Sequence, residues 1–114
     1  MTLQGKLKWF GTQLSNICPR TYHYTKAVNA SLPYLVWAEY GEMDDFNADN
    51  KKAEQVIAGS VNYFTKAEYD PVLDSIQAML NENRLSWRLE SVQYEPDTGI
   101  IHYEWGVGLG EINS

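Results

Sequence analysis

Tyr34-Leu35-Val36-Trp37-Ala38 is the longest unbroken apolar run in the chain. An alternating strand keeps one face wet, whereas this run puts apolar groups on both faces. It therefore predicts a central strand, within Leu32 to Gly41, that needs cover on each side. The remaining residues must supply that cover within a single domain, since 114 residues suffice for one core and not for two. Four Trp, eight Tyr and three Phe in a chain that is 44% apolar give that core ample material.

The first cover precedes the run. Leu3, Leu7, Phe10, Leu14 and Ile17 recur at steps of four and three, which predicts an amphipathic helix from about Thr2 to about Asn16, ended by Pro19. Between Arg20 and Lys26, Tyr22 and Tyr24 alternate with His23 and Thr25, the period of a half-buried strand. The short connection through Asn29, Ser31 and Pro33 predicts an antiparallel hairpin with the central strand.

After the run, Glu54 to Lys66 reads as a long strand with Ile57, Val61 and Tyr63 on one face and Val56, Ala58 and Phe64 on the other. Gly59 in its middle predicts a bulge or a close backbone approach. Asp70 is placed to cap a second helix with Pro71 at its first position and Val72, Leu73, Ile76, Met79 and Leu80 as its apolar stripe, ending near Asn81 to Asn83.

Leu85 to Tyr94 and Ile100 to Val107 flank the turn Glu95-Pro96-Asp97-Thr98-Gly99 and predict a hairpin. Pairing Tyr94 with Ile100 puts Trp87, Leu89, Ile101, Tyr103, Trp105 and Val107 on one face and Arg88, Glu90, His102 and Glu104 on the other. Gly106, Gly108 and Gly110 then predict a flexible tail over 108–114. The expected fold is α+β: helix, three strands, helix, two strands, forming a mixed, mainly antiparallel sheet of about five strands with both helices packed against it.

Charge narrows the functional classes. A net charge of −6 and a pI near 4.7 argue against direct binding to a phosphate backbone, which requires clustered Lys and Arg. Most of that charge falls between Glu39 and Glu54, where six acidic residues meet only Lys51 and Lys52, and 41–52 reads as an exposed acidic loop. Its Asp44, Asp45, Asp49 and Glu54 do not follow the ligand spacing of a calcium loop. No apolar run reaches the eighteen or so residues of a membrane span, and Lys6 and Lys8 interrupt the N-terminal apolar positions, so neither a membrane anchor nor a signal peptide is expected. A lone Cys18 forms no internal disulfide and reads as a half-buried thiol.

Catalytic signatures are sparse. In the expected register Glu90 faces Glu104, and opposed carboxylates shift each other's pKa enough to divide acid and base roles, but Arg88 beside them neutralises the pair. His23, His102 and a carboxylate make a weak zinc set without thiols or a helical His pair. Tyr63, Phe64 and Tyr69 lack the basic groove of a base-stacking platform and read as packing residues. No nucleophile elbow, phosphate loop, dinucleotide fingerprint or Cys-x-x-Cys occurs, so no catalytic residue, cofactor or metal site is assigned.

With these elements laid out, the chain resembles the small tail-terminator and tail-completion proteins of long-tailed bacteriophages, the group that includes the lambda tail terminator. The likeness lies in the N-terminal helix, Thr21-Tyr22-His23-Tyr24, Leu32-Pro33-Tyr34-Leu35-Val36-Trp37-Ala38-Glu39, the passage from Val61-Asn62-Tyr63-Phe64-Thr65-Lys66 into Tyr69-Asp70-Pro71-Val72-Leu73, and Ile101-His102-Tyr103-Glu104-Trp105. It spans roughly Thr2 to Trp105, through element order and length rather than any catalytic motif. The resemblance implies a non-enzymatic virion subunit, made in the host cytoplasm, that self-associates into a six-membered ring on the tail tube and meets head connector proteins. Candidate interface residues are then Glu42, Asp44, Asp45, Phe46, Asp49, Lys51 and Lys52 of the acidic loop with Arg88, Glu90 and Glu104 of the last hairpin; Arg84 and Lys66 are further basic candidates for meeting the loop. The alternatives are a small acidic enzyme or ligand-binding domain using Glu90, His102 and Glu104, and an adaptor that binds a host protein through the loop.

Overall fold

The structure, a computed structural model, describes residues 1–43 and 55–111. The elements are α1 (Leu3–Ile17), β1 (Thr21–His23), β2 (Tyr34–Glu42), β3 (Ile57–Thr65), α2 (Pro71–Glu82), β4 (Ser86–Glu95) and β5 (Ile100–Leu109). They form an α+β fold whose five-stranded sheet has the order β1-β2-β3-β5-β4, antiparallel throughout except for β1 beside β2.

Both helices form where capping and periodicity place them. The Thr2 hydroxyl accepts from the Gly5 N–H and starts α1. Phe10 and Leu14 of its stripe are buried, but Leu3 is 43% exposed, and Lys6 is buried instead with its ammonium donating to the Gln55 carbonyl at 2.7 Å. Asp70 caps α2, accepting from the Val72 N–H at 2.9 Å, and Pro71 follows at the first position. Its carboxylate also accepts from the Tyr63 and Thr65 hydroxyls at 2.7 and 2.8 Å, which ties the helix start to β3.

The two helices touch each other, so they share one face of the sheet. Gly11 of α1 lies against the Trp37 ring of β2. The Trp105 and Trp87 indole N–H groups of β5 and β4 donate to Gln77 and Asn81 of α2 at 3.1 and 2.9 Å. Leu35, Trp37, Val61, Tyr63, Trp105 and Val107 build the core on this side, each side chain contributing about 1.5–3 kcal/mol on burial.

Several expectations change. β3 rather than β2 occupies the centre of the sheet, and Val36, on the far side of the apolar run, has no helix over it among the described residues. β1 pairs with β2 in parallel, Thr21 with Leu35 and His23 with Trp37, instead of as a hairpin. Residues 24–33 are long enough to carry the chain back along the strand. Tyr24 and Asn29 turn it with φ of 74° and 64°, and the Arg20 guanidinium fastens its end by donating to the Ser31, Leu32 and Pro33 carbonyls.

The irregularity expected at Gly59 lies across from it. The β2–β3 register shifts between Glu39 and Gly41, and a Cβ at Gly59 would stand 2.7 Å from the Ala38 carbonyl oxygen. Gly41 and Glu42 belong to β2, so the acidic loop starts later than 41, and 44–54 lies outside the described residues. Gly108 and Leu109 continue β5 as buried strand residues; the expected tail is thereby cut back to 110–114, of which 112–114 lie outside the described residues.

Candidate functional site

The face of the sheet away from the helices carries no helix among the described residues, and its residues follow from the register. Tyr34, Phe64, His102 and Gln93 stand in one row across β2, β3, β5 and β4. Their rings form a ladder: Tyr34 stacks on Phe64 at 4.7 Å between centroids and Phe64 on His102 at 4.2 Å. Tyr22 of β1 meets Tyr34 edge-on at 6.4 Å, and the Lys26 ammonium lies 5.9 Å from the Tyr34 ring centre.

Polar groups complete the next row. The Asn62 amide donates to the Val36 carbonyl and the Ser60 hydroxyl, both at 3.4 Å, which leaves its oxygen facing His102 Nε2 at 2.8 Å. That oxygen accepts only, so His102 carries its proton on Nε2. Burial lowers the His102 pKa, and the nearby Glu104 charge only partly opposes this, so the ring is neutral at pH 7. A 410 Å³ hollow lined by Tyr34, Phe64, Tyr94, Pro96 and His102 adjoins the ladder.

The expected carboxylate pair does not form. Leu89 pairs with Trp105 as the sequence predicts, but the register shifts between Leu89 and Ser91, leaving Glu90 as the bulged residue. Beyond the shift Ser91 stands opposite Glu104, with its hydroxyl 3.5 Å from that carboxylate, and Tyr94 pairs with Ile101 instead of Ile100. The Glu90 carboxylate lies over Gly106, where any Cβ would come within 2.8 Å of Oε1. Arg88 Nε is 3.9 Å from Glu90 in a largely exposed pair, a contact of little energetic weight. The bulge also turns Val92 and Tyr94 to the helix side, where neither helix reaches far enough to cover them; they are 52% and 63% exposed.

His23 and His102 lie on different elements and do not meet. His23 belongs to a cluster at the opposite edge, its ring stacked between Tyr24 and Trp37 at 3.9 Å from each and its Nε2 2.6 Å from Glu39 Oε1. The Tyr24 hydroxyl donates to the other Glu39 oxygen. Burial pushes the Glu39 carboxyl up, but the hydrogen bonds from Tyr24 and His23 outweigh it and hold the group below its ordinary value. Among the described residues no group of three His, Cys, Asp or Glu is arranged to hold a metal ion, and no helix is long and apolar enough to cross a membrane. Cys18 is buried, and burial raises its pKa, which disfavours the reactive thiolate.

Of the candidate interface residues, Glu42 ends β2, while Arg88, Glu90 and Glu104 lie on the last hairpin; Tyr40 and Met43, on either side of Glu42, line a 320 Å³ hollow together with Arg88, Glu90 and Gly106. Asp44, Asp45, Phe46, Asp49, Lys51 and Lys52 lie outside the described residues. Sequence reasoning missed Asn62 as the anchor of His102 and Glu39 as the partner of His23. The available signal was a polar side chain at an otherwise apolar strand position in each case. Neither the protein-family models nor the curated proteins contain a match to this chain.

Proposed function

We propose that this chain is a virion structural subunit of a phage or prophage, a tail terminator or tail-completion protein that assembles into a six-membered ring at the head-proximal end of the tail and joins it to the head connector. The observation that carries the reading is a five-stranded sheet with both helices on one face and, among the described residues, no helix on the other face and no strand paired to the outer edges of β1 and β4. The element order adds support, because it is the order on which the resemblance to tail-completion proteins rests.

Subunits of this kind act by association, so their working surfaces are sheet edges and exposed apolar strips rather than a cleft with convergent titratable groups. The exposed Leu89, Val92 and Tyr94 along β4 fit that description. The Glu90–Glu104 pairing from which the enzyme alternative started gives way to Ser91 opposite Glu104. The test is tail capping: purified tails lacking a terminator, incubated with the protein, acquire a ring at one end visible by negative stain and become competent to join heads. Tails that continue to lengthen and never bind the protein overturn the reading.

A further inference from the structure

Between α1 and the β1–β2 edge of the sheet lies a hollow of about 580 Å³. It is lined from α1 by Lys8, Gly11 and Thr12, from β1 by Thr21 and His23, and from β2 by Trp37. Its volume suits a small molecule.

Trp37 is the residue that makes the hollow more than a surface dip. The ring is 5% exposed, with His23 stacked on it at 3.9 Å, so it offers a ligand its N–H edge rather than a face. The Trp105 and Trp87 indole N–H groups have side-chain acceptors in Gln77 and Asn81, whereas that of Trp37 has none among the described residues. No side-chain nitrogen or oxygen of these residues is sealed from solvent without a partner, so the Trp37 N–H reaches solvent, and the hollow that its ring lines is the way out. Gly11 keeps that way open: a Cβ there would stand 3.8 Å from the indole nitrogen.

The remaining polar groups divide by sign. Lys8 is exposed and brings an ammonium, while no Asp or Glu among the described residues lines the hollow. Glu39 is bonded to His23 Nε2 and to the Tyr24 hydroxyl and takes no part in the lining. The Thr12 and Thr21 hydroxyls donate to the Lys8 and Cys18 carbonyls at 3.0 and 2.6 Å, which leaves their oxygens as acceptors.

From this set we infer that the hollow binds a small hydroxy monocarboxylate, the carboxylate accepting from the Trp37 indole N–H and the Lys8 ammonium, and the hydroxyl donating to Thr12 or Thr21. One ammonium matches one carboxylate charge; a phosphate ester or a nucleic acid calls for a larger basic cluster. An amine in place of the hydroxyl would set a second cation beside Lys8. The site is complete within one chain and does not rest on the tail reading, so the failure of either leaves the other standing.

The test is a titration of the isotope-labelled full chain with sodium L-lactate, read at the Trp37 indole N–H resonance. That resonance is assigned by its nuclear Overhauser contacts to Gly11 and His23. Sodium chloride at matched ionic strength and sodium propionate, which lacks the hydroxyl, are the controls. Lactate is expected to move the Trp37 resonance saturably while the indoles of Trp9, Trp87 and Trp105 stay in place, and propionate to bind at least about threefold more weakly. Lys8→Gln, an exposed change whose folding is checked by circular dichroism and melting, weakens lactate about tenfold or more. A shift still linear at about 0.1 M, beyond the weak limit for a ligand of so few atoms, overturns the inference. So does a shift that chloride reproduces or that Lys8→Gln leaves unchanged, and equal affinity for lactate and propionate overturns the role given to the hydroxyl.

Discussion

The two faces of the sheet use the same kinds of residue to opposite ends. On the helix side Trp37, Tyr63 and Trp105 are 5% exposed or less, the Tyr63 hydroxyl and the Trp105 indole N–H are bonded, and the rings serve as core. On the other side Tyr34, Phe64 and His102 stack in a row that no helix covers, with Asn62 fixing the histidine. Aromatic content therefore measures not only how much core a chain can build but how much it can leave for a neighbour.

The largest expected effect lies on the covered side. Trp105→Ala removes a fully buried ring and orphans Gln77, and should cost about 3–5 kcal/mol, read from chemical denaturation. Phe64→Ala, on the open side, should cost less than half as much while weakening association; an equal loss of stability would erase the distinction between the faces. Asp70→Ala removes the α2 cap and leaves the buried Tyr63 and Thr65 hydroxyls without their acceptor, for about 2–3 kcal/mol.

The same residue gives a pH signature. Burial raises the Asp70 carboxyl pKa, but the Val72 N–H and the Tyr63 and Thr65 hydroxyls together outweigh it and bring the group below its ordinary value. A depressed folded pKa adds stability above the unfolded value near 3.9, and this is lost as pH falls through the folded one. Urea midpoints for the wild type should therefore drop below about pH 4 more steeply than those for Asp70→Asn. Gly59→Ala, which forces a Cβ toward the Ala38 carbonyl, should cost about 1–3 kcal/mol by the same denaturation measurement. The smallest effect belongs to Glu90→Gln: stability within about 0.5 kcal/mol of wild type, since its Arg88 contact is long and exposed.

Local rules carried the sequence reading as far as the elements. The Asp70 cap, Pro71 and the α2 stripe act within a turn or two, and each formed where its residues stood. The parallel placement of β1 was not legible, because it depends on the Arg20 guanidinium reaching carbonyls eleven to thirteen residues away and on left-handed turns at Tyr24 and Asn29, neither a glycine. The bulge at Glu90 carries no glycine or proline to announce it, yet it decides that Ser91 rather than Glu90 stands opposite Glu104 and that Val92 and Tyr94 face the helix side. The His102 anchor required knowing that Asn62 lies forty residues away in sequence but on the neighbouring strand.

The most direct test of the central claim, that this fold works by assembling with itself, is the mass of the wild-type protein by sedimentation velocity over a wide concentration range, with negative-stain imaging of any large species in the presence and absence of tails. The account predicts closed six-membered rings, free in solution or seated on tail ends. A strict monomer that neither binds nor caps tails would contradict it.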